Sequence, residues 1–128
     1  GTTTVQPRFV PEKGFVERWN GSQWTIHQLP RLRPGRYGLL LSISCPSART
    51  CTTVGQYTKG GRDYWTLAER WSRGHWHVQH TPNPRGAIRS SLSAVSCPSS
   101  RVCTAIGAMR VQDSARTKSP LAEEYSSH

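Results

Sequence analysis

The sequence predicts an all-β fold: two consecutive four-stranded antiparallel meander repeats, shaped as β-propeller-like blades and belonging to a larger or oligomer-completed propeller. Three observations predict it. The segment FVERWNGSQWTIHQLP from Phe15 returns as LAERWSRGHWHVQHTP from Leu67, 52 residues further on. A period of about 50 residues marks repeats that bury their faces on one another. The chain holds 9 Pro, 11 Gly and 5 Trp with 34% hydrophobic residues and no long helix-forming run, which disfavours helical and Rossmann-type architectures. Its four cysteines form two Cys-x5-Cys pairs, each bracketing a short turn that contains Pro and Ser.

The elements follow in order. Residues 1–14 read as part of a preceding blade and its connection, because Gly1 placed on Gly107 brings Val5 and Gln6 onto Val111 and Gln112. Repeat 1 covers 15–66 and repeat 2 covers 67–120; a third copy opens with LAEEY and covers 121–128, so the chain reads as a stretch of a longer array. Glu17, Arg18, Trp19, Trp24, Pro30 and Leu40 match Glu69, Arg70, Trp71, Trp76, Pro82 and Leu92 without a gap. In repeat 2 the strands fall at about Thr66–Trp71, Trp76–His80, Leu92–Cys97 and Cys103–Ala108; the same four are expected between Phe15 and Tyr57. Leu92, Ala94 and Ser96 alternate with Ser93, Val95 and Cys97, as the two faces of a strand require. Asn20-Gly21 is a strong hairpin signal. It sets Trp19 across from Trp24, and Trp71 across from Trp76, as aromatic cross-strand pairs.

The cysteines bear on compartment. Cys45 with Cys51, and Cys97 with Cys103, bracket their turns in even number, which predicts cross-strand disulfides and an oxidising, extracellular or cell-surface setting. Zinc is the competing reading of four cysteines. Structural zinc pairs favour roughly two to four residues between thiolates, whereas five intervene here and Pro46 and Pro98 follow the first cysteine of each pair. No stretch nears the roughly 18 apolar residues of a membrane span.

A net charge of +10, from 17 Lys and Arg against 7 Asp and Glu, raises a polyanionic partner as a question. The cations are scattered, with local density only at Arg31, Arg33 and Arg36, and repeat 2 has Asn83, Arg85 and Ile88 at the matching places. A solvated surface is the reading, and a nucleic-acid partner is not expected.

The motifs SCPSARTCTTVG from Ser44, SCPSSRVCTAIG from Ser96, VERWNGSQW from Val16, AERWSRGHW from Ala68 and TPNP from Thr81 together resemble a family of tandem-repeat proteins common in actinobacteria. The resemblance covers nearly the whole chain. It implies secreted or surface propellers, mostly without an assigned activity. Glu124-Tyr125 in place of Arg-Trp departs from the pattern and fits a decaying or terminal repeat.

For chemistry, a position that recurs in every repeat is expected to be scaffold. Glu17 and Glu69, beside Arg18 and Arg70, read as exposed or inter-repeat ion pairs rather than paired catalytic carboxylates. His75 and His77 share a strand face and form a weak candidate metal pair, with His80 on the other face; their repeat 1 counterparts are Gln23, Thr25 and Gln28. No phosphate loop, HExxH or GxSxG segment occurs. Asn20-Gly21-Ser22 fits a glycosylation sequon, but the hairpin turn explains it.

The expected function is a non-enzymatic extracellular binding or scaffolding module, without a cofactor and with no catalytic residues assigned. The alternative is a lectin-like propeller holding glycans at Arg18, Trp19, Trp24, Arg70, Trp71 and Trp76, between the blades. A fragment of a propeller glycosidase ranks third. A glycan or another protein is the expected partner, with self-association if these two repeats are the complete chain.

Overall fold

The computed structural model describes residues 14–30, 32–60, 62–111 and 118–126, the last stretch by its backbone pairing. The partial repeat expected over 1–14 therefore lies outside the described residues apart from Gly14, as do Arg31 and Gln112. Nine strands and no helix occur among the described residues: β1 (Phe15–Trp19), β2 (Trp24–Gln28), β3 (Tyr37–Ser47), β4 (Thr50–Thr58), β5 (Tyr64–Ser72), β6 (His75–Gln79), β7 (Ala87–Ser99), β8 (Val102–Val111) and β9 (Lys118–Ser126). All pairings are antiparallel.

The strands lie where the alternation and turn residues put them, but the sheets are cut at a different place in the repeat. β1 and β2 form a two-stranded sheet, β3 to β6 a four-stranded meander, and β7 to β9 a three-stranded sheet. β2 does not pair with β3, so the meander expected between Phe15 and Tyr57 is split. Its second half joins the next repeat's tryptophan hairpin instead. The connections explain the split. Pro30 and Pro34 stand between β2 and β3, and Pro82 and Pro84 between β6 and β7; proline offers no N–H to a ladder and carries the chain across to the neighbouring sheet. Between β4 and β5 only residues 59–63 intervene, and the ladder runs unbroken from Thr58↔Tyr64 to Cys51↔Trp71. The sequence period is unaltered; the middle sheet starts with the cysteine hairpin of one repeat and continues into the tryptophan hairpin of the next.

Both cysteine hairpins close as expected, with Cys45 bonded to Cys51 and Cys97 to Cys103, and 4.0 Å between the Cα atoms of each pair. A bulge interrupts each long strand, at Leu40/Ser42 and again at Leu92/Ala94. Opposite these bulges stand Gly55 and Gly107. A Cβ there would lie 1.9 Å from the Leu39 carbonyl oxygen and 1.7 Å from that of Ser91. Only glycine fits, which accounts for its recurrence. The bulge also corrects the regular alternation expected from Leu92 to Cys97. Ser93 is the extra residue, so Leu92 and Cys97 are both buried and Val95 packs against the core, while Ser96 is exposed.

The sheets stack with the four-stranded one in the middle. Val16 and Leu29 from the β1–β2 side meet Cys51, Trp71 and Trp76 on one face of the middle sheet. Val54 and Ala68, on its other face, meet Leu92, Val95 and Ala105 of the third sheet. Two side chains of β3 fasten the second junction: Ser42 Oγ accepts from the Val95 N–H at 3.2 Å and Ser44 Oγ from the Cys97 N–H at 3.0 Å.

Candidate functional site

The recurring Glu-Arg-Trp segment sits at the junctions between sheets. Period-two alternation puts Val16 and Arg18 on the face of β1 that looks at the middle sheet, and Trp19 on the opposite face. Arg18 Nη2 donates to the Ala48 carbonyl at 2.7 Å, at the tip of the first cysteine hairpin, and its guanidinium lies 5.8 Å from the Trp71 ring centre. His27 meets the same ring edge-on at 4.9 Å. One repeat later, Arg70 donates to the carbonyl of Ser100 at the tip of the second cysteine hairpin. Each arginine thus ties its tryptophan hairpin to the next disulfide tip.

The four candidate tryptophans divide into two environments. Trp19 and Trp24 form the expected pair at 5.7 Å, and Trp71 and Trp76 form another at 5.7 Å. Trp76 is 7% exposed under the β1–β2 sheet, and its buried indole N–H has no hydrogen-bond partner among the described residues; Trp71 is half-buried beside it. Trp19 and Trp24 are 53% and 64% exposed, with Phe15 and Ile26 also exposed on that sheet. A ligand between the sheets would have to displace Arg18 and His27 from Trp71. The outer face of β1–β2 is open to solvent.

The two glutamates also part company. Glu17 is exposed, whereas Glu69 is 2% exposed and forms no ion pair with a described residue. The ion-pair reading of Glu69 is therefore corrected, because the β1–β2 sheet covers the face on which it lies. Burial pushes its carboxyl from the ordinary 4.5 up to about 7. His75 and His77 do share a face, 6.3 Å apart between ring centres. His77 pairs across the ladder with Arg70, and among the described residues no third His, Cys, Asp or Glu completes a metal-binding group.

Two spaces open between the middle and third sheets. One, of about 230 Å³, is mainly apolar and is lined by Val54, Ala68, Leu92, Val95 and Ala105, with Arg70 and His80 at its polar side. The other, of about 220 Å³, lies at the end away from the disulfide tips and is lined by Gln56, Tyr64, Arg89, Ser91, Ser93 and Arg110. Asp63 approaches it, with its carboxylate 3.4 Å from Arg89 Nε. None of the residues around the second space was a candidate from the sequence. A signal was nevertheless present: Tyr37 and Thr58 stand 52 residues before Arg89 and Arg110, so the arginine pair is a departure from the repeat.

No family model, curated protein or solved structure matches the chain.

Proposed function

We propose that the chain is a non-enzymatic extracellular binding or scaffolding module built from β-propeller-type repeats. The observation that carries this reading is the repeated junction: Arg18 to Ala48 and Arg70 to Ser100 make the same contact, 30 residues ahead in each case. Recurring polar residues are thereby committed to joining one sheet to the next, which is scaffold work rather than chemistry. The two disulfides fit an oxidising compartment, and the Ser-Cys-Pro-Ser and Glu-Arg-Trp motifs agree with secreted repeat proteins of propeller type. Assays of the concentrated, oxidised chain on glycoside, ester and peptide substrates are expected to show no turnover. Reproducible turnover abolished by a single Asp, Glu or His substitution overturns the reading.

A second, lectin-like reading is favoured by one observation, the exposed Trp19–Trp24 pair. Flat indole faces open to solvent suit CH–π contact with sugar rings. The site moves accordingly from between the sheets to the outer face of β1–β2. Glycan-array binding lost in Trp24→Ala, with the near-ultraviolet dichroism unchanged, supports it; silence across neutral and acidic glycans counts against it.

A further inference from the structure

We propose that the cleft of Gln56, Tyr64, Ser91, Arg89 and Arg110 binds the carboxylate groups of an acidic polysaccharide. The inference rests on the binding-module reading and names its ligand class. Arg89 and Arg110 are register partners on adjacent strands, so two guanidinium groups emerge side by side on one face. Like charges directly opposite each other repel, and an anion between them relieves that repulsion. Guanidinium forks match carboxylates in a bidentate geometry. Within the chain Arg89 already meets one carboxylate, that of Asp63, through a single contact from Nε to Oδ1 at 3.4 Å. Asp63 is itself more than half exposed, at 54%, so a stronger or multivalent carboxylate ligand can compete with it.

Size and lining point to sugar. A space of about 220 Å³ is below the roughly 300–1,000 Å³ of sites for drug-sized molecules and suits one ring of a polymer. Tyr64, Ser91 and Gln56 line the cleft together with the arginines and carry the hydroxyl and amide donors and acceptors that ring hydroxyls of a uronic acid need.

The surroundings favour a chain of anions over a single one. The Arg33–Arg36 turn leads into β3 and residues 59–63 join β4 to β5, so Arg33, Arg36, Lys59 and Arg62 stand at this same end, Arg36 and Lys59 on the other face of the middle sheet, where a polymer crossing the sheet end, but not a single anion in the cleft, would meet them. Folding thus concentrates cations that are dispersed along the sequence. Nucleic acid is the less favoured polyanion. Arg36 lies over the Tyr57 ring at 5.1 Å and Lys59 over Trp65 at 5.3 Å, so these rings hold cations instead of offering bare faces for base stacking.

The test is calorimetric titration of the oxidised chain with a galacturonate oligomer, its neutral methyl ester, and single-stranded oligothymidylate. The double variant Arg89→Gln with Arg110→Gln is compared with Arg49→Gln and Arg101→Gln, which removes the same charge at the disulfide tips. The free acid is expected to bind, its ester not to bind, and the cleft variant to weaken binding by about tenfold or more against less than about twofold for the tip variant. Should the double variant lose its fold, Arg110→Lys alone, which keeps the charge but removes the fork, is expected to weaken binding while preserving the thermal midpoint. Equal losses in cleft and tip variants, no binding of the free acid, or tighter binding of oligothymidylate each overturns the proposal. Release of new reducing ends would instead overturn the non-enzymatic reading and leave the site standing, so the two failures are distinguishable.

Discussion

Asn83, within the TPNP motif, was no site candidate, yet its Oδ1 accepts from the Thr66 N–H at 3.0 Å, from Thr66 Oγ1 at 2.9 Å and from the Ser90 hydroxyl. Thr66 and Ser90 are 2% and 0% exposed, so no water can replace that oxygen without rearrangement. Asn83→Ala is expected to cost about 2–3 kcal/mol, read as a lowered urea midpoint with unchanged slope, while Asn83→Asp keeps the acceptor and most of the stability. Glu69 makes the opposite prediction. Its folded value of about 7 lies above the ordinary 4.5, so between these pH values the folded chain holds a proton that the unfolded chain has released. Stability from this group is full below 4.5 and falls as pH rises through about 7. The loss is on the order of 3 kcal/mol at alkaline pH. Glu69→Gln is expected to flatten that slope and to be more stable than the parent at pH 8 in denaturant titrations; a less stable variant there would show that the carboxylate is compensated.

At the scale of the elements, the bulged cysteine hairpin is the most demanding piece of backbone. Gly107 faces the Ser91 carbonyl oxygen at a distance that would leave a Cβ only 1.7 Å away, whereas Gly74, in the β5–β6 turn, has nothing within 4 Å and a φ of +81°. Two physical costs are thereby separated, backbone collision and left-handed strain. Gly107→Ala is expected to destabilise by about 3 kcal/mol or more, since the strand itself must move, and Gly74→Ala by about 1 kcal/mol, the cost of a Cβ in the left-handed region. Chemical denaturation of the pair of variants checks the order. The turn at Gly74 already carries one such strain, because Arg73 has a φ of 53°.

At the scale of the molecule the two junctions are unequal: β3, β4 and β5 all pack on β7, whereas β1–β2 meets the middle sheet at few places. The β1–β2 sheet has five residues in each strand and, among the described residues, is held to the middle sheet by Val16, Leu29, the Arg18 contacts and the edge of His27 on Trp71. A two-stranded sheet is marginal alone. Arg18→Ala is expected to weaken its docking by about 1 kcal/mol, seen as faster hydrogen exchange in β1–β2 and a red-shifted Trp76, with protection in β7–β8 unchanged. Uniform loss of protection would mean that the stack unfolds as one unit.

The sequence by itself determined the period, the strands, both disulfide pairings and both tryptophan pairs, because these depend on residues near one another in the chain: turn formers, alternation and cysteines around a turn. Gly55 and Gly107 were legible as recurring, though the reason for them was not. Tertiary structure alone decided where each sheet is cut, since pairing of β4 with β5 rather than β2 with β3 is a competition between ladders. It also decided which copy of a repeated residue is buried. Trp24 and Trp76 hold equivalent positions of the repeat, as do Glu17 and Glu69, and the second of each pair is buried because it lies on the side of the middle sheet that β1–β2 covers. The Arg89–Arg110 cleft was hidden for a related reason: its residues come from four strands, and a charge cluster assembled across strands leaves no run in the sequence.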